Sequence, residues 1–371
     1  MKITVVHPNE LGPAERGRWR ELQAADGRLA SPYFSVEFTL AAAQAREDVR
    51  VAVLEEHQAI AGFFPFQGRH GAGEPAGGRL ADHHGVIASA ETRWDWQELL
   101  RAAGLGYWQF DHLPYWQRPH GVAVTRALSP ALDLSQGHEA WLRRRLAASR
   151  SMHETLRKMR KLEREAGPLR LEPNSRDRAV FDTVIRLKRE QCVRTGQLDF
   201  FAWPWTRALV ECIRDIDEPA FGGRLSALYA GDTLVAAHFG MRSDKVWHWW
   251  FPVYNHAYGS HSPGLALLMR LAEHAAAEGH LLLDLGKGDE AYKDRFSDCA
   301  MPLAEGLVSR PALATAVRRL RKAAGAWLRT SPYAQPLRPL VQRLRPGAAA
   351  GAPVAIPLTD LTGLFQPILL A

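Results

Sequence analysis

One motif order occurs twice in this chain, and no other feature restricts its fold as much. Residues 49–54 (VRVAVL) and 59–66 (AIAGFFPF) are β-rich runs joined by the short polar turn Glu55-Glu56-His57-Gln58, a pattern that predicts a hairpin. Residues 225–230 (LSALYA) and 233–240 (TLVAAHFG) repeat it around Gly231-Asp232. The two stretches overlay. Ile60-Ala61-Gly62 falls on Leu234-Val235-Ala236 at an offset of 174, and Phe110-Asp111 falls on Leu283-Asp284 at an offset of 173. Two independent anchors with nearly equal offsets predict a duplicated unit of helices and strands.

The flanking segments fill in each copy. In the first, 2–6 (KITVV) and 106–112 (GYWQFDH) read as strands, 93–103 as a helix, and 67–79 as a loop rich in Gly and Pro. In the second, 177–197 and 205–216 are helical by apolar spacing. The run 246–251 (VWHWWF) is a strand, Pro263-Gly264 opens a helix to about Glu278, and LLLDL (281–285) is a short buried strand. Between the copies one charged helix is expected over 139–165. Met152, Leu156 and Met159 lie on its apolar face, and Arg150, Arg157, Lys158, Arg160, Lys161 and Arg164 on the other. Past residue 310, Leu313, Val317, Leu320 and Trp327 share a face of a further amphipathic helix, and 346–357 is of low complexity. The expected fold class is α/β with mixed sheets, divided at 1–135, 136–170, 171–308 and 309–371.

The charge is uneven. The chain has 371 residues and a formal net charge of +7, but nine Lys or Arg and no acid lie between Gly306 and Thr359. Without those nine, 38 basic residues face 40 acidic ones. A near-neutral body argues against a nucleic-acid partner, and the basic tail suits an anionic surface such as a membrane. Three cysteines (Cys192, Cys212, Cys299) have no metal-type spacing and are odd in number, which fits a reducing compartment. The opening MKITVVHPNE reaches a proline and an acid before any apolar core of a signal peptide. A cytoplasmic protein is expected, with peripheral contact at the inner membrane face through the tail.

The densest chemical signal is 254–296. A loop of small and polar residues including Gly259 and Ser260 leads to Ser262-Pro263-Gly264-Leu265 at a helix start. Proline suits that position because its missing N–H is not needed there. Free N–H groups at such a start bind an anion such as a pyrophosphate. The next strand ends at Asp284, Gly286-Lys287-Gly288 turns the backbone, and Tyr292 and Lys293 follow near the carboxyl ends of the strands.

The pattern S-P-G, helix, D-x-G-x-G-x-x-x-Y-K resembles the CelD-like acetyltransferases, a branch of the GCN5-related N-acetyltransferase (GNAT) superfamily similar in plan to the Fem-type peptidoglycan aminoacyltransferases. SRSMHETLRKMRKLEREAG (149–167) and LKREQCVRTG (187–196), followed by Phe200-Phe201, strengthen the resemblance. It implies tandem GNAT-like folds: a cofactor-free first copy, a basic connector and an acetyltransferase copy over 171–308. It also implies transfer from acetyl- or another acyl-coenzyme A, without a metal, to an amine or hydroxyl. The acceptor is a small molecule or glycan precursor of exopolysaccharide or cell-envelope metabolism. The superfamily's pyrophosphate motif, Q/R-x-x-G-x-G/A, survives here only as His256-Ala-Tyr-Gly259-Ser-His261. Fem-like transfer from charged tRNA and a non-catalytic scaffold remain as other readings.

Several residues carry two readings each. Lys293 holds an anion or is a solvated lysine; Tyr292 protonates the leaving thiolate or packs. Asp284 orients Lys293, takes the acceptor's proton, or caps a turn. His238 and His248, on adjacent strands, are candidate bases near neutral pH or structural. Asp82-His83-His84 looks metal-like, yet adjacent histidines on a loop do not easily converge on one ion. Trp247 and Trp249 fall on one strand face and Trp250 on the other, as a sugar platform or as core.

Overall fold

The computed structural model describes residues 1–311. The amphipathic helix expected past residue 310 and the run at 346–357 lie outside the described residues. The first copy runs β1 (Lys2–Val6), α1 (Pro13–Ala25), α2 (Val36–Ala45), β2 (Val49–Glu56), β3 (Ala59–Arg69), β4 (Ala72–Pro75), β5 (Ile87–Ala88), α3 (Trp96–Ala102), β6 (Tyr107–Pro114) and β7 (Thr125–Asp133). After α4 (His138–Ala148) and α5 (Arg150–Ala166), the second runs β8 (Leu169–Glu172), α6 (Arg178–Thr195), α7 (Pro204–Arg214), β9 (Asp217–Glu218), β10 (Phe221–Ala230), β11 (Thr233–Ser243), β12 (Val246–Tyr254), α8 (Pro263–Ala277), β13 (Leu282–Asp284), α9 (Ala291–Phe296) and β14 (Cys299–Ser309).

The strands of the described residues join one sheet, ordered β1-β2-β3-β4-β6-β14-β7-β13-β12-β11-β10-β8 along its main path. That order is a palindrome of the two copies. Each copy gives its last strand to the other: β7 pairs antiparallel with β13, and β14 pairs antiparallel with β6. The duplication extends to a defect. In the first hairpin the register slips between Leu54↔Gly62 and Glu55↔Ile60, and in the second between Leu228↔Ala236 and Tyr229↔Leu234. Each pair is displaced by the same 174 positions, so the bulge belongs to the repeated unit.

Local chemistry explains the boundaries. The first hairpin turns through His57 and Gln58 alone, both at positive φ, the geometry of a tight two-residue hairpin turn. Asp177 caps α6 through the Ala179 N–H, and Gly196 ends it in the left-handed region. The expected loop at 67–79 instead contains the end of β3 and β4. Gly68 lets the Ala72 carbonyl approach where a side chain would collide. The single helix expected over 139–165 is two, because Ser149 is extended at φ −143°. Packing sets that break: Trp141 Nε1 donates to Phe296 O and Arg145 to Arg295 O, which ties α4 to α9.

Helices cover both faces of the second copy's strands. On one face α8, α4 and α5 bury Trp247, Trp249, Leu267 and Leu271; on the other α2, α6 and α7 bury Phe181, Phe239, Trp250 and Phe251. The tryptophans of β12 therefore alternate between two cores as expected, and all three are buried. Each fully buried phenylalanine, such as Phe181 or Phe239, stabilises the fold by about 2 kcal/mol. Among the described residues no helix is long and apolar enough to cross a membrane.

Candidate active site

The parallel pairing of β12 with β13 stops at His248↔Asp284. Beyond it, β12 continues to Tyr254 with β11 on one side and, among the described residues, no strand on the other. At this fork the two copies converge. Asp284 is fully buried and accepts four hydrogen bonds: from His83 Nε2 (2.9 Å), His248 Nδ1 (3.2 Å), Ser129 Oγ (2.7 Å) and the Gly286 N–H (3.0 Å). The other nitrogen of His248, Nε2, lies 3.1 Å from Asp82 Oδ2. Gly286 is required twice over, with φ at +70° and Asp82 Oδ2 3.1 Å from any Cβ.

The charges follow from these contacts. Burial alone would push His248 down, but its bonds to Asp284 and Asp82 outweigh that and raise its pKa to about 9. Burial works against the charge of Asp284 as well, and the bonds from His248 and His83 hold it well below the usual carboxylate range. Asp82 is likewise lowered despite burial, by His112 and His248. His248 is therefore an imidazolium clamped between two carboxylates.

A second layer is built around residues of the first copy. His84 Nδ1 faces Ala81 O at 3.1 Å, and its Nε2 accepts the N–H groups of Asp111 (3.3 Å) and His112 (3.1 Å). Those partners fix the neutral tautomer, and burial pushes His84 down to about 3. His112 sits between Asp111 Oδ1, 3.0 Å from its Nδ1, and Asp82 Oδ1, 3.6 Å from its Nε2. Lys287 Nζ donates to Asp111 O and pairs with Glu305. The Tyr33 ring meets His248 edge-on at 5.0 Å.

The far end of β12 leads into a 3-10 turn, His256–His261, and then α8. Gly259 and Ser260 lie in that turn. Ser262 is at φ +53° just before Pro263, a strained conformation for a non-glycine residue, and its side chain does not cap the helix. Leu265 and Ala266 donate to Ser262 O, which leaves the Gly264 N–H without a partner among the described residues. Basic groups flank this start: Lys158 Nζ is 3.4 Å from Ser262 Oγ, and Arg194 reaches His256 at 2.8 Å. The matching helix of the first copy, α3, is closed to anions, because the Asp95 carboxylate already accepts the N–H groups of Gln97 and Glu98.

The expected site residues are thus only partly united. His248 and Asp284 meet, and Asp82 and His83 join them by bonds to protein groups. Among the described residues no His, Cys, Asp or Glu group is arranged to hold a metal ion. Asp284 does not orient Lys293. That ammonium is buried and pins the loop instead, donating to Gly286 O (3.1 Å) and Lys287 O (2.9 Å) and pairing with Glu290 (2.9 Å). Tyr292 packs on the α8 side of the sheet against the core that holds Trp249, while His248 and Trp250 occupy the opposite face; burial raises the Tyr292 phenol. His238 is fully buried, stacks on Trp249 at 4.2 Å and accepts the Trp250 N–H, and burial lowers its pKa well below the usual value. It bonds to no carboxylate of the cluster. Sequence reasoning assigned no role to His112, Ser129 or Lys188. The repeat anchor Phe110-Asp111, one residue before His112, was the available signal. Lys188, on α6, donates to Gln191; burial lowers its pKa, and its charge acts on Glu290 and Asp82.

Residues 149–294 match the family model described as an acetyltransferase (GNAT) domain. No curated protein matches the chain. Among solved structures, FemX is similar at 8% identity and a TM-score of 0.55, over 83% of this chain and 96% of that one. The C-terminal domain of a candidate lysylphosphatidylglycerol synthetase from Agrobacterium fabrum is similar at 13% identity and 0.51, over 85% and 97%. A conserved protein of unknown function from Bacteroides thetaiotaomicron is similar at 11% and 0.50, over 82% and 99%. Likeness at such identities is likeness of fold. Residues 149–294 are thus similar to an acetyltransferase (GNAT) domain, and they lie within a duplicated α/β fold with one mixed sheet.

Proposed function

We propose that the chain is an acyl-coenzyme A-dependent acyltransferase that moves an acetyl or longer acyl group to an amine or hydroxyl. The observation that carries this reading is the uncapped, base-flanked start of α8 at the end of the strand that begins beside the cluster. The Gly264 N–H, Ser262 Oγ and Lys158 Nζ form a set of donors suited to a pyrophosphate. From Trp249 to Tyr254 the free edge of β12 spans about 17 Å at the rise of a strand, a length that an extended pantetheine arm matches. A thioester at the cluster end of that edge would meet backbone N–H groups able to stabilise an oxyanion. The closed start of α3 supports a single donor site, in the second copy. An acceptor from exopolysaccharide or cell-envelope metabolism rests on the resemblance to CelD-like proteins, and contact of the basic tail with an anionic membrane belongs to the same reading.

Calorimetric titration of the full chain with acetyl-coenzyme A tests this. Micromolar binding is expected, and Gly264→Asp is expected to abolish it. A Cβ at Gly264 meets only Tyr254, at 3.7 Å, so the new side chain fits and acts through its charge. No binding of acetyl- or longer acyl-coenzyme A would reject the reading. Salt-sensitive binding of charged tRNA would then mark Fem-like aminoacyl transfer.

A further inference from the structure

We infer that His112, from the first copy, is the group that takes the acceptor's proton, so that α8 of one copy binds the acyl donor and β6 of the other supplies the base. The inference rests on the acyl-transfer reading above and adds the base to it.

Elimination within the cluster leads to His112. Asp284 is fully buried and its two oxygens already hold four donors. Both nitrogens of His248 are committed to carboxylates, and both of His84 to backbone groups. His83 holds Asp284 through Nε2 alone, and its side chain is 3% exposed, less than that of His112 at 8%. His112 differs. Its Nδ1 is buried, and although Asp111 Oδ1 is 3.0 Å away, the alignment of a hydrogen bond is missing. Its Nε2 is 3.6 Å from Asp82 Oδ1, beyond hydrogen-bond reach. Its main chain is held, because His84 Nε2 accepts the backbone N–H of His112 itself. The ring itself is 8% exposed, against 0% for His248 and Asp284, and the Asp111 and Asp82 side chains beside it are 42% and 21% exposed.

The charged groups around the ring suit the task. Asp82 and Asp111 flank it, and the neutral His84 ring stands 6.1 Å away. Lys287 and Glu305 form a pair behind Asp111. Two carboxylates beside an imidazole stabilise the imidazolium formed in the step, as the aspartate does in a serine hydrolase triad. In that step the acceptor's lone pair forms the bond to the acyl carbon while its N–H or O–H proton passes to His112. The carbon–sulfur bond breaks and its electron pair leaves with sulfur. The proton then returns from His112 to the thiolate, which departs as the free thiol.

The test uses the full chain, acetyl-coenzyme A as donor and water as the probe acceptor, with thiol release as the rate and calorimetry as the binding measurement. His112→Gln is expected to bind the donor as the unaltered chain does, to keep its melting temperature, and to release thiol about 100-fold more slowly or worse. Its pH–rate profile should lose the limb that reports a base. Normal binding with undiminished release in His112→Gln would overturn the inference alone. Absent binding in the unaltered chain would remove the acyl-transfer reading and the inference with it. If water proves too poor an acceptor, labelling with diethyl pyrocarbonate, read by peptide mass, decides independently. His112 should react ahead of His83, His84 and His248, and the reverse order would overturn the inference.

Discussion

His248 donates from both ring nitrogens to carboxylates, the fully buried Asp284 and the partly buried Asp82, an arrangement open only to the charged ring. Its folded pKa of about 9 stands above the ordinary 6.5, so its contribution to stability is full below 6.5 and is lost as pH rises through about 9. Asp284 has the opposite sign: its contribution is full above the ordinary carboxylate value of 3.8 and is lost as pH falls through its depressed folded value. The pair therefore stabilises most between those two ordinary values. A melting temperature that falls from neutral pH toward pH 9 is expected, with that fall blunted in His248→Gln. The same substitution leaves Asp82 and Asp284 without their shared cation and is expected to cost about 3–5 kcal/mol in chemical denaturation. At this scale the sequence was half legible. Asp284 stood out because it ends a strand of the repeated unit, and His248 because it is a histidine on a strand adjacent to that of His238. Asp82 and His83 read as metal-like because their true partners, 166 and 201 positions away, have no local signature.

At the scale of the elements, the proposed reading rests on the α8 start and the α9 loop. The S-P-G motif marked the α8 start correctly, since a proline at the first helical position is a local preference that packing does not override. Lys293 was legible as a position but not as a role. Its carbonyl partners, Gly286 O and Lys287 O, exist only once the glycine turn has formed. Lys293→Met is expected to lower stability by roughly 2 kcal/mol, for hydrogen bonds lost in a buried site. The loosened 286–288 amides should then exchange faster in hydrogen–deuterium exchange. The break at Ser149 and the strands β7 and β14 were not legible for one reason. Each is created by contacts distant in sequence, such as β14 with β6 and β7, rather than by the pattern of its own residues.

At the scale of the molecule, the palindromic strand order explains why one site draws on both copies. Because β7 and β14 change sides, β6 and β13 lie near the centre of one sheet, and the matched residues Asp111 and Asp284 reach the same cluster. The duplication itself was legible from two short anchors, but the strand exchange was not, since hydropathy does not encode which copy a terminal strand joins. The asymmetry that follows is chemical: Asp95 closes α3, whereas α8 is open. Asp95→Ala should remove a helix cap at a cost of about 1 kcal/mol and leave donor binding unchanged in calorimetry. The central claim, one acyl donor held along β12 and the α8 start, is tested most directly by hydrogen–deuterium exchange of the full chain with and without acetyl-coenzyme A. Protection confined to 249–266 is expected. Protection around α3, or none anywhere, would contradict it.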